Sequence, residues 1–147
     1  MGINVEDNFT LLFDKNNTTA YKALQMLQKE CEKSDKVYCY MDKLADMIDS
    51  DNSYIRTRGL TLIACNAKWD KDNKIDEIID KYLKHIEDVK PITARQCIKL
   101  LPVIVENKPE LKDDIVSALQ KADTSIYADS MRSLVYKDIQ NSLAEIQ

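Results

Sequence analysis

Apolar residues recur at intervals of three and four along most of the chain, and short polar stretches interrupt them at regular distances. This spacing places apolar side chains on one face of an α-helix. The spacing of Val5, Phe9, Leu12 and Phe13 predicts a short first helix, and no strand pattern competes with the helical pattern elsewhere. The later stripes begin at Tyr21, Val37, Ile55, Ile75, Cys97, Leu111 and Tyr127. The pattern therefore predicts an all-α fold of about seven helices.

Three of these predicted helices begin in a similar way. Their first residues are Ser53-Tyr54-Ile55, Pro91-Ile92-Thr93 and Ser125-Ile126-Tyr127, and Gly59, Cys97 and Met131 each follow four residues after the third member. The unit recurs after about 38 and then about 34 residues, a period typical of stacked helix pairs. A four-helix bundle has no reason to repeat its helix starts and stripes in phase.

The repeat predicts a short right-handed α-α superhelix that forms a single domain over residues 1–147. The expected repeat units are residues 37–68, 74–107 and 110–147, and the helices of residues 4–33 would form an N-terminal cap. Pro102 falls inside a predicted helix, where it removes one backbone hydrogen bond, and we expect a kink there.

The stretch LADMIDSDNSYIRTRGLTLI resembles a HEAT repeat. The second helix of such a repeat follows an Asp-containing turn and opens with an aliphatic residue and an arginine, and Ile55 and Arg56 stand in those places. The resemblance implies that Asp51 caps this turn or pairs with Arg56. It covers roughly residues 41–136, although Arg95 stands one place late and Ala128 replaces the arginine of the third unit.

Two stretches, RTRGLTLIACNAKWD and KPITARQCIKLLP, also resemble small HEAT-like proteins of Gram-positive bacteria, members of the wider armadillo-type group. This resemblance implies a fold and no chemistry.

Five further residues are predicted to serve the repeat itself. Ser53 is a candidate N-cap, and Pro91 fits a first helical turn, where its missing N–H costs nothing. Arg56 is expected to bond the carboxylates and carbonyls of the turn. Gly59 is unfavourable in a helix interior and indicates close approach of a neighbouring helix. Trp69 is expected to anchor a helix end between repeat units.

A second set of residues is predicted to contact a partner. Arg58 lies off the apolar stripe of its helix, near Thr61, and the equivalent positions in the next unit are Gln96 and Lys99, with Arg95 beside them. If the second helices line a concave face, these residues share it. The hypothesis is a non-catalytic scaffold that binds another protein through this ridge, and the alternative is a solvated charged face.

The net charge and the cysteines indicate which classes of partner and which cell compartment to expect. The net charge is −4 over 147 residues, which disfavours nucleic acid and anionic membranes. Four cysteines stand far apart without a C-x-x-C motif, so we expect reduced core residues. No signal peptide or long apolar run appears, which indicates a cytoplasmic protein without a membrane span.

Catalytic motifs find little support in the sequence. His85 is the single histidine, so a His-rich metal site is not expected, and a packed imidazole is favoured over a general base. Asp70, Asp72 and Asp76 suggest a calcium loop, but a lysine occupies its fifth position and an isoleucine its sixth, which favours a capping turn. Pairs of converging carboxylates stay an open alternative. We expect no cofactor and no metal.

The sequence is also compatible with a different function and with self-association. HEAT-like DNA glycosylases that remove alkylated purines are built from similar helix pairs, which makes a nucleic-acid-binding or DNA-repair protein the alternative function. The ends of a short solenoid can also expose apolar stripes, which makes a homo-oligomer possible.

Overall fold

The computed structural model describes residues 4–147, and these residues form α-helices and short 3-10 helices without any strand. The α-helices are α1 (Val5–Leu11), α2 (Asn17–Lys33), α3 (Met41–Met47), α4 (Ser53–Cys65), α5 (Lys74–Leu83), α6 (Pro91–Asn107), α7 (Lys112–Lys121) and α8 (Asp129–Ile146). The 3-10 helices are Tyr38–Tyr40, Ala67–Trp69, Lys84–Glu87, Pro109–Leu111 and Thr124–Ile126. The all-α prediction is confirmed, with eight α-helices in the described part against about seven expected.

The chain divides into two compact units, Met1–Asp72 (unit 1) and Asn73–Gln147 (unit 2). The division falls between the first and the second predicted repeat unit. In unit 1, α1 packs on α2, α3 packs on α4, and the second helices α2 and α4 pack on each other. The helices of residues 4–33, expected as a cap, thus form a helix pair with the same layout as the next.

Unit 2 repeats this arrangement. The 3-10 helix Lys84–Glu87 extends α5 and packs on α6, α7 packs on α8, and the second helices α6 and α8 pack on each other. Leu101 and Ile104 of α6 and Val135 of α8 lie in its core, each fully buried. Each unit is therefore two helix pairs whose second helices share the core.

Asparagine side chains cap three of the α-helices of unit 1, namely α1, α2 and α4. The Asn52 carboxamide oxygen accepts from the backbone N–H groups of Tyr54 and Ile55, at 2.9 and 3.3 Å. The helix begins at Ser53, so the expected N-cap is displaced by one residue, because the carboxamide of Asn52 does what a serine hydroxyl does at that position. Asn4 and Asn16 cap α1 and α2 in the same way.

The two prolines of α6 differ in their position along the helix. Pro91 occupies the first turn, where no intrahelical donor is needed. Pro102 lies in the interior, and the helix continues past it to Asn107. The kink at Pro102 stays a prediction.

Gly59 lies where α3 approaches α4 most closely. A Cβ atom on Gly59 would stand 2.9 Å from the Cβ of Met47, 3.0 Å from Cγ2 of Ile48 and 3.1 Å from the carbonyl oxygen of Leu44. Two of these atoms belong to the backbone of α3 or are attached directly to it. The helix itself would have to move to admit a methyl group.

We predict that Gly59→Ala lowers the free energy of unfolding by about 1–2 kcal/mol, because overpacking outweighs the gain in helix propensity. Equilibrium urea denaturation followed by circular dichroism measures the change. Gln25→Ala, at an exposed position of α2, is the matched control and should change stability by less than about 0.5 kcal/mol. A Gly59→Ala protein as stable as the wild type would show that α3 and α4 have room for the methyl group.

Candidate functional site

Two arginines are buried in α4. The Arg56 side chain is 7% exposed, and its Nη1 donates to the backbone carbonyls of Ser50 and Asp51, each at 3.1 Å. Both carbonyls belong to the turn between α3 and α4. Arg56 therefore holds the turn to the first part of α4 through backbone oxygens.

Arg58 lies about one and a half turns after the start of α4 and is 6% exposed. Its Nη1 donates to the carbonyl oxygen of Leu12 at 2.8 Å, and its Nη2 donates to Oδ1 of Asn17 at 3.2 Å. The carbonyl stands at the C-terminal end of α1, where the helix dipole favours a cation. Burial lowers the pKa of the Arg58 guanidinium. Arg58 joins α4 to the turn between α1 and α2.

The remaining residues of the expected ridge differ in their accessibility. Thr61 is buried, and its hydroxyl donates to the carbonyl of Thr57. Arg95 is half-buried, with Nε 2.6 Å from Oδ2 of Asp138, and this hydrogen bond raises the pKa of Arg95. Gln96 is half-buried and Lys99 is exposed. Neither Arg58 nor Thr61 can reach a partner from the interior of unit 1, which differs from the expectation.

Trp69 ends the 3-10 helix that follows α4. Its indole Nε1 donates to the carbonyl of Cys31 at 2.7 Å, near the C-terminal end of α2. The ring is half-buried. Trp69 therefore fastens the end of one helix pair to the end of the other within unit 1.

Two carboxylates of the segment WDKDNKID share one partner, and the third carboxylate has another. The Tyr38 hydroxyl lies 2.8 Å from Oδ1 of Asp70 and 3.1 Å from Oδ2 of Asp72. Asp76 pairs with the buried ammonium of Lys108 at 2.6 Å. The cap of α5 is Asn73, whose φ of 55° lies in the left-handed region, rather than one of the aspartates. Within residues 4–147 no cluster of three or more candidate ligands could hold a metal ion.

His85 belongs to a polar cluster at the start of α6. Its Nδ1 lies 2.6 Å from Oδ2 of Asp88, and the Tyr127 hydroxyl donates to the carbonyl of Asp88 at 2.6 Å. The nearby Cys97 thiol is fully buried, and burial together with the Asp88 carboxylate raises its pKa. A nucleophilic cysteine requires an accessible thiol with a lowered pKa. The cluster joins the start of α6 to the segment before α8 and does not present an activated nucleophile.

An apolar groove lies between α1 and α3, the first helices of the two pairs in unit 1. We call it the unit-1 groove. Its volume is about 590 Å³, and its lining consists of Phe9, Thr10, Phe13, Lys43, Asp46, Met47, Ser50 and Ile55. Because α1 rests on α2 and α3 rests on α4, the groove opens where the two pairs meet.

Aromatic rings form one wall of the unit-1 groove. Phe9 stacks on Tyr40 with ring centroids 4.3 Å apart, and the edge of Phe13 meets Phe9 at 5.9 Å. Phe9 is 6% exposed, whereas Phe13 is 50% exposed. The ammonium of Lys43 lies 5.5 Å from the Tyr40 ring centroid. The groove therefore combines a buried aromatic base with one ring that stands in solvent.

Carboxylates flank these rings. Asp46 lines the groove on the α3 side. Glu6 lies one turn before Thr10 on α1, and the Thr10 hydroxyl donates to the Glu6 carbonyl. Burial, and to a smaller extent the Cys39 thiol and the Glu6 carboxylate, raise the pKa of Tyr40. The Glu6 carboxylate therefore lies near enough to Tyr40 to contribute to this shift.

Unit 2 has a groove at the corresponding place, between α5 and α7, with a volume of about 430 Å³. Its lining is charged or small over most of its length: Asp80, Leu83, Lys84, Ile86, Glu87, Asp114, Ser117, Ala118, Lys121 and Ala122. No aromatic side chain is among them. The fold therefore does not require aromatic rings between first helices, and those of unit 1 need another explanation.

The apolar spacing predicts Phe9 and Phe13 as members of one stripe, and the structure separates them. Helix α1 ends at Leu11, so Phe13 lies in the turn that follows, and its side chain is half-exposed. The sequence carried no signal for this difference, since the spacing of Val5, Phe9, Leu12 and Phe13 fits one face of a helix and does not show where the helix ends. The sequence pattern pointed to the second helices as the contact surface and did not single out this groove.

The comparisons identify one family. A family model described as a HEAT repeat domain matches residues 2–143 of the chain. No curated protein and no solved structure matches it. Among the described residues, no helix combines the length and the apolar character that crossing a membrane requires.

We predict that Arg58→Ala lowers the free energy of unfolding by about 2–3 kcal/mol, because the Leu12 carbonyl loses a buried donor. Lys99→Ala removes an exposed cation from the same expected set and should cost less than about 0.5 kcal/mol. Equilibrium urea denaturation compares the two variants. Equal small losses would mean that the hydrogen bonds of Arg58 contribute nothing to unit 1.

The four cysteines should react at very different rates with a thiol reagent. Cys31 and Cys97 are buried, Cys65 is half-buried and Cys39 is exposed, so the expected core position holds for the first two and not for Cys39. Burial raises the pKa of Cys31 to about 12. At neutral pH the native protein should label at Cys39 first, and Cys31 and Cys97 should label only as fast as the protein unfolds. Labelling of Cys97 at the rate of Cys39, located by mass spectrometry, would contradict its burial.

Proposed function

The chain belongs to the HEAT repeat domain family, whose repeats commonly bind other proteins, and from this premise we propose that it is a non-catalytic scaffold that binds another protein through the unit-1 groove. The observation that carries the proposal is the half-exposed Phe13 beside a groove of about 590 Å³. In the corresponding groove of unit 2 the lining has no such ring.

Energetics favours this groove as a contact site. Binding energy in protein interfaces concentrates in a few residues, often aromatic, that fill or line a pocket. Covering the exposed half of the Phe13 ring contributes about 1 kcal/mol from apolar area alone. The ring keeps few rotamers and rests against Phe9, so ordering it on binding costs little conformational entropy.

The ridge of second helices supports the proposal less well. Arg58 and Thr61 are buried in unit 1, and Arg95 is already bonded to Asp138 in unit 2. Lys99 keeps an exposed side chain on α6, but a single cation at a rim changes the association rate more than the affinity. The proposed contact site is therefore the groove between first helices and not the ridge of second helices.

The nucleic-acid alternative is disfavoured by charge. Residues 4–16 and 40–52, which surround the unit-1 groove, contain seven carboxylates and two lysines. Nucleic-acid binding depends on cations that neutralise phosphates. A surface of this composition repels a phosphate backbone.

We predict that Phe13→Ser abolishes or weakens partner binding by at least about tenfold, because it removes the exposed aromatic anchor. The tagged full-length protein and the variant capture proteins from lysate of the source organism, and the protein lost from the variant is purified. Its affinity for both forms is then measured by isothermal titration calorimetry. Circular dichroism and a urea titration show that the variant is folded.

Tyr21→Ser is the matched control, since Tyr21 is an aromatic residue of unit 1 with 56% exposure that does not line the groove. The purified partner should bind this variant with unchanged affinity. Equal affinity for the wild type and Phe13→Ser, or equal loss in both variants, would refute the groove as the binding site.

A further inference from the structure

We propose that the segment bound in the unit-1 groove is a basic amphipathic helix of another protein. Its apolar face would cover Phe13 and Ile55, and its lysine or arginine side chains would lie toward Glu6 and Asp46. The inference rests on the proposed function, because it names the chemistry of the partner at that same groove.

The negative charge of the chain is concentrated around this groove. The whole protein has a net charge of −4, whereas residues 4–16 and 40–52 alone contain seven carboxylates against two lysines. The rest of the chain is therefore close to neutral. The carboxylates are Glu6, Asp7, Asp14, Asp42, Asp46, Asp49 and Asp51, and all of these residues are exposed. A partner of complementary charge is basic.

The shape of the groove fits a helix. Its lining on α3 consists of Lys43, Asp46 and Met47, of which the last two are three and four residues after the first and so lie on the same face as it. The opposite wall comes from α1 and the turn that follows it. A helix laid between two helices meets both walls with residues at the same spacing, which is the usual way an amphipathic helix binds an apolar groove.

The one lysine of the lining is held near the aromatic wall. Lys43 Nζ lies 5.5 Å from the centroid of Tyr40 and 6.0 Å from that of Phe9. A cation over aromatic faces is partly compensated by the rings. The incoming helix thus meets the carboxylate of Asp46 in the lining and that of Glu6 one turn before Thr10 on α1. These charges favour lysine or arginine over acidic side chains.

The test uses two synthetic peptides of about 18 residues, which is five helical turns. Both have leucine at positions i, i+3, i+4 and i+7, and the polar face is lysine in one and glutamate in the other. Fluorescence anisotropy with the full-length protein at low ionic strength should show that the lysine peptide binds at least about tenfold more tightly. The difference should shrink at higher ionic strength, because salt screens the exposed carboxylates.

Two pairs of variants show which part of the protein binds the lysine peptide. Phe13→Ser should abolish binding of the lysine peptide, and Tyr21→Ser should leave it unchanged. The double variant Glu6→Gln/Asp46→Asn should weaken binding severalfold, while Glu32→Gln/Asp35→Asn, which removes two exposed carboxylates at the end of α2, should have a smaller effect. Equal effects of the two double variants would show that only net charge matters and would overturn the proposal.

Other outcomes separate this inference from the proposed function. Equal binding of both peptides, lost in Phe13→Ser, would overturn the basic partner and leave the groove as a binding site. Binding of neither peptide would overturn the helical occupant, while capture of a partner that depends on Phe13 would still support the scaffold. A dimer in light scattering that Phe13→Ser converts to a monomer would identify a second copy of the chain as the occupant and would overturn the inference.

Discussion

The hydrogen bond from Arg58 to the carbonyl of Leu12 holds α1 in place. At the neighbouring position, Gly59 leaves room for α3 to pack closely against α4. Two consecutive positions of α4 therefore place the two helices between which the unit-1 groove opens. Arg58 reaches the end of α1 because its side chain is long and its planar guanidinium can donate to a backbone oxygen and to Asn17 at once. Gly59 lets α3 come close because it has no Cβ atom. The groove is the space that remains between helices fixed in these two ways.

Unit 2 uses charged side chains for the same purpose at other positions. Lys108, buried after α6, donates to Oδ1 of Asn73 and pairs with Asp76 at the start of α5. Arg95 pairs with Asp138 and so joins α6 to α8. Each of these cations meets a carboxylate or an oriented carbonyl, which compensates the cost of removing it from water. The two units share a layout of helix pairs and differ in the polar contacts that hold the pairs and in the lining of their grooves.

Much of the fold could be predicted because it depends on the spacing of apolar residues along the chain. The spacing of Leu44 and Ile48 on one predicted helix, and of Ile55 and Leu62 on the next, requires only that the apolar side chains of each helix share a face. The exact cap at Asn52 was missed by one residue, since serine and asparagine are interchangeable at that position and both are present. The role of Arg58 could not be predicted from its place off the apolar stripe, because a long side chain can turn inward to a helix end that is distant in sequence.

Apolar residues spaced by three and four and helix starts repeated in phase are enough to predict repeated helix pairs, since few other folds have this pattern. The positions of the acidic residues along the chain are likewise plain from the sequence. Which polar side chains are buried, and where an apolar groove stays open, follow from the tertiary structure, because burial depends on which helix ends and faces meet in space. Phe9 and Phe13 are four residues apart on one predicted stripe. Phe9 lies within α1 and is buried, whereas Phe13 lies beyond the end of α1 and is half-exposed.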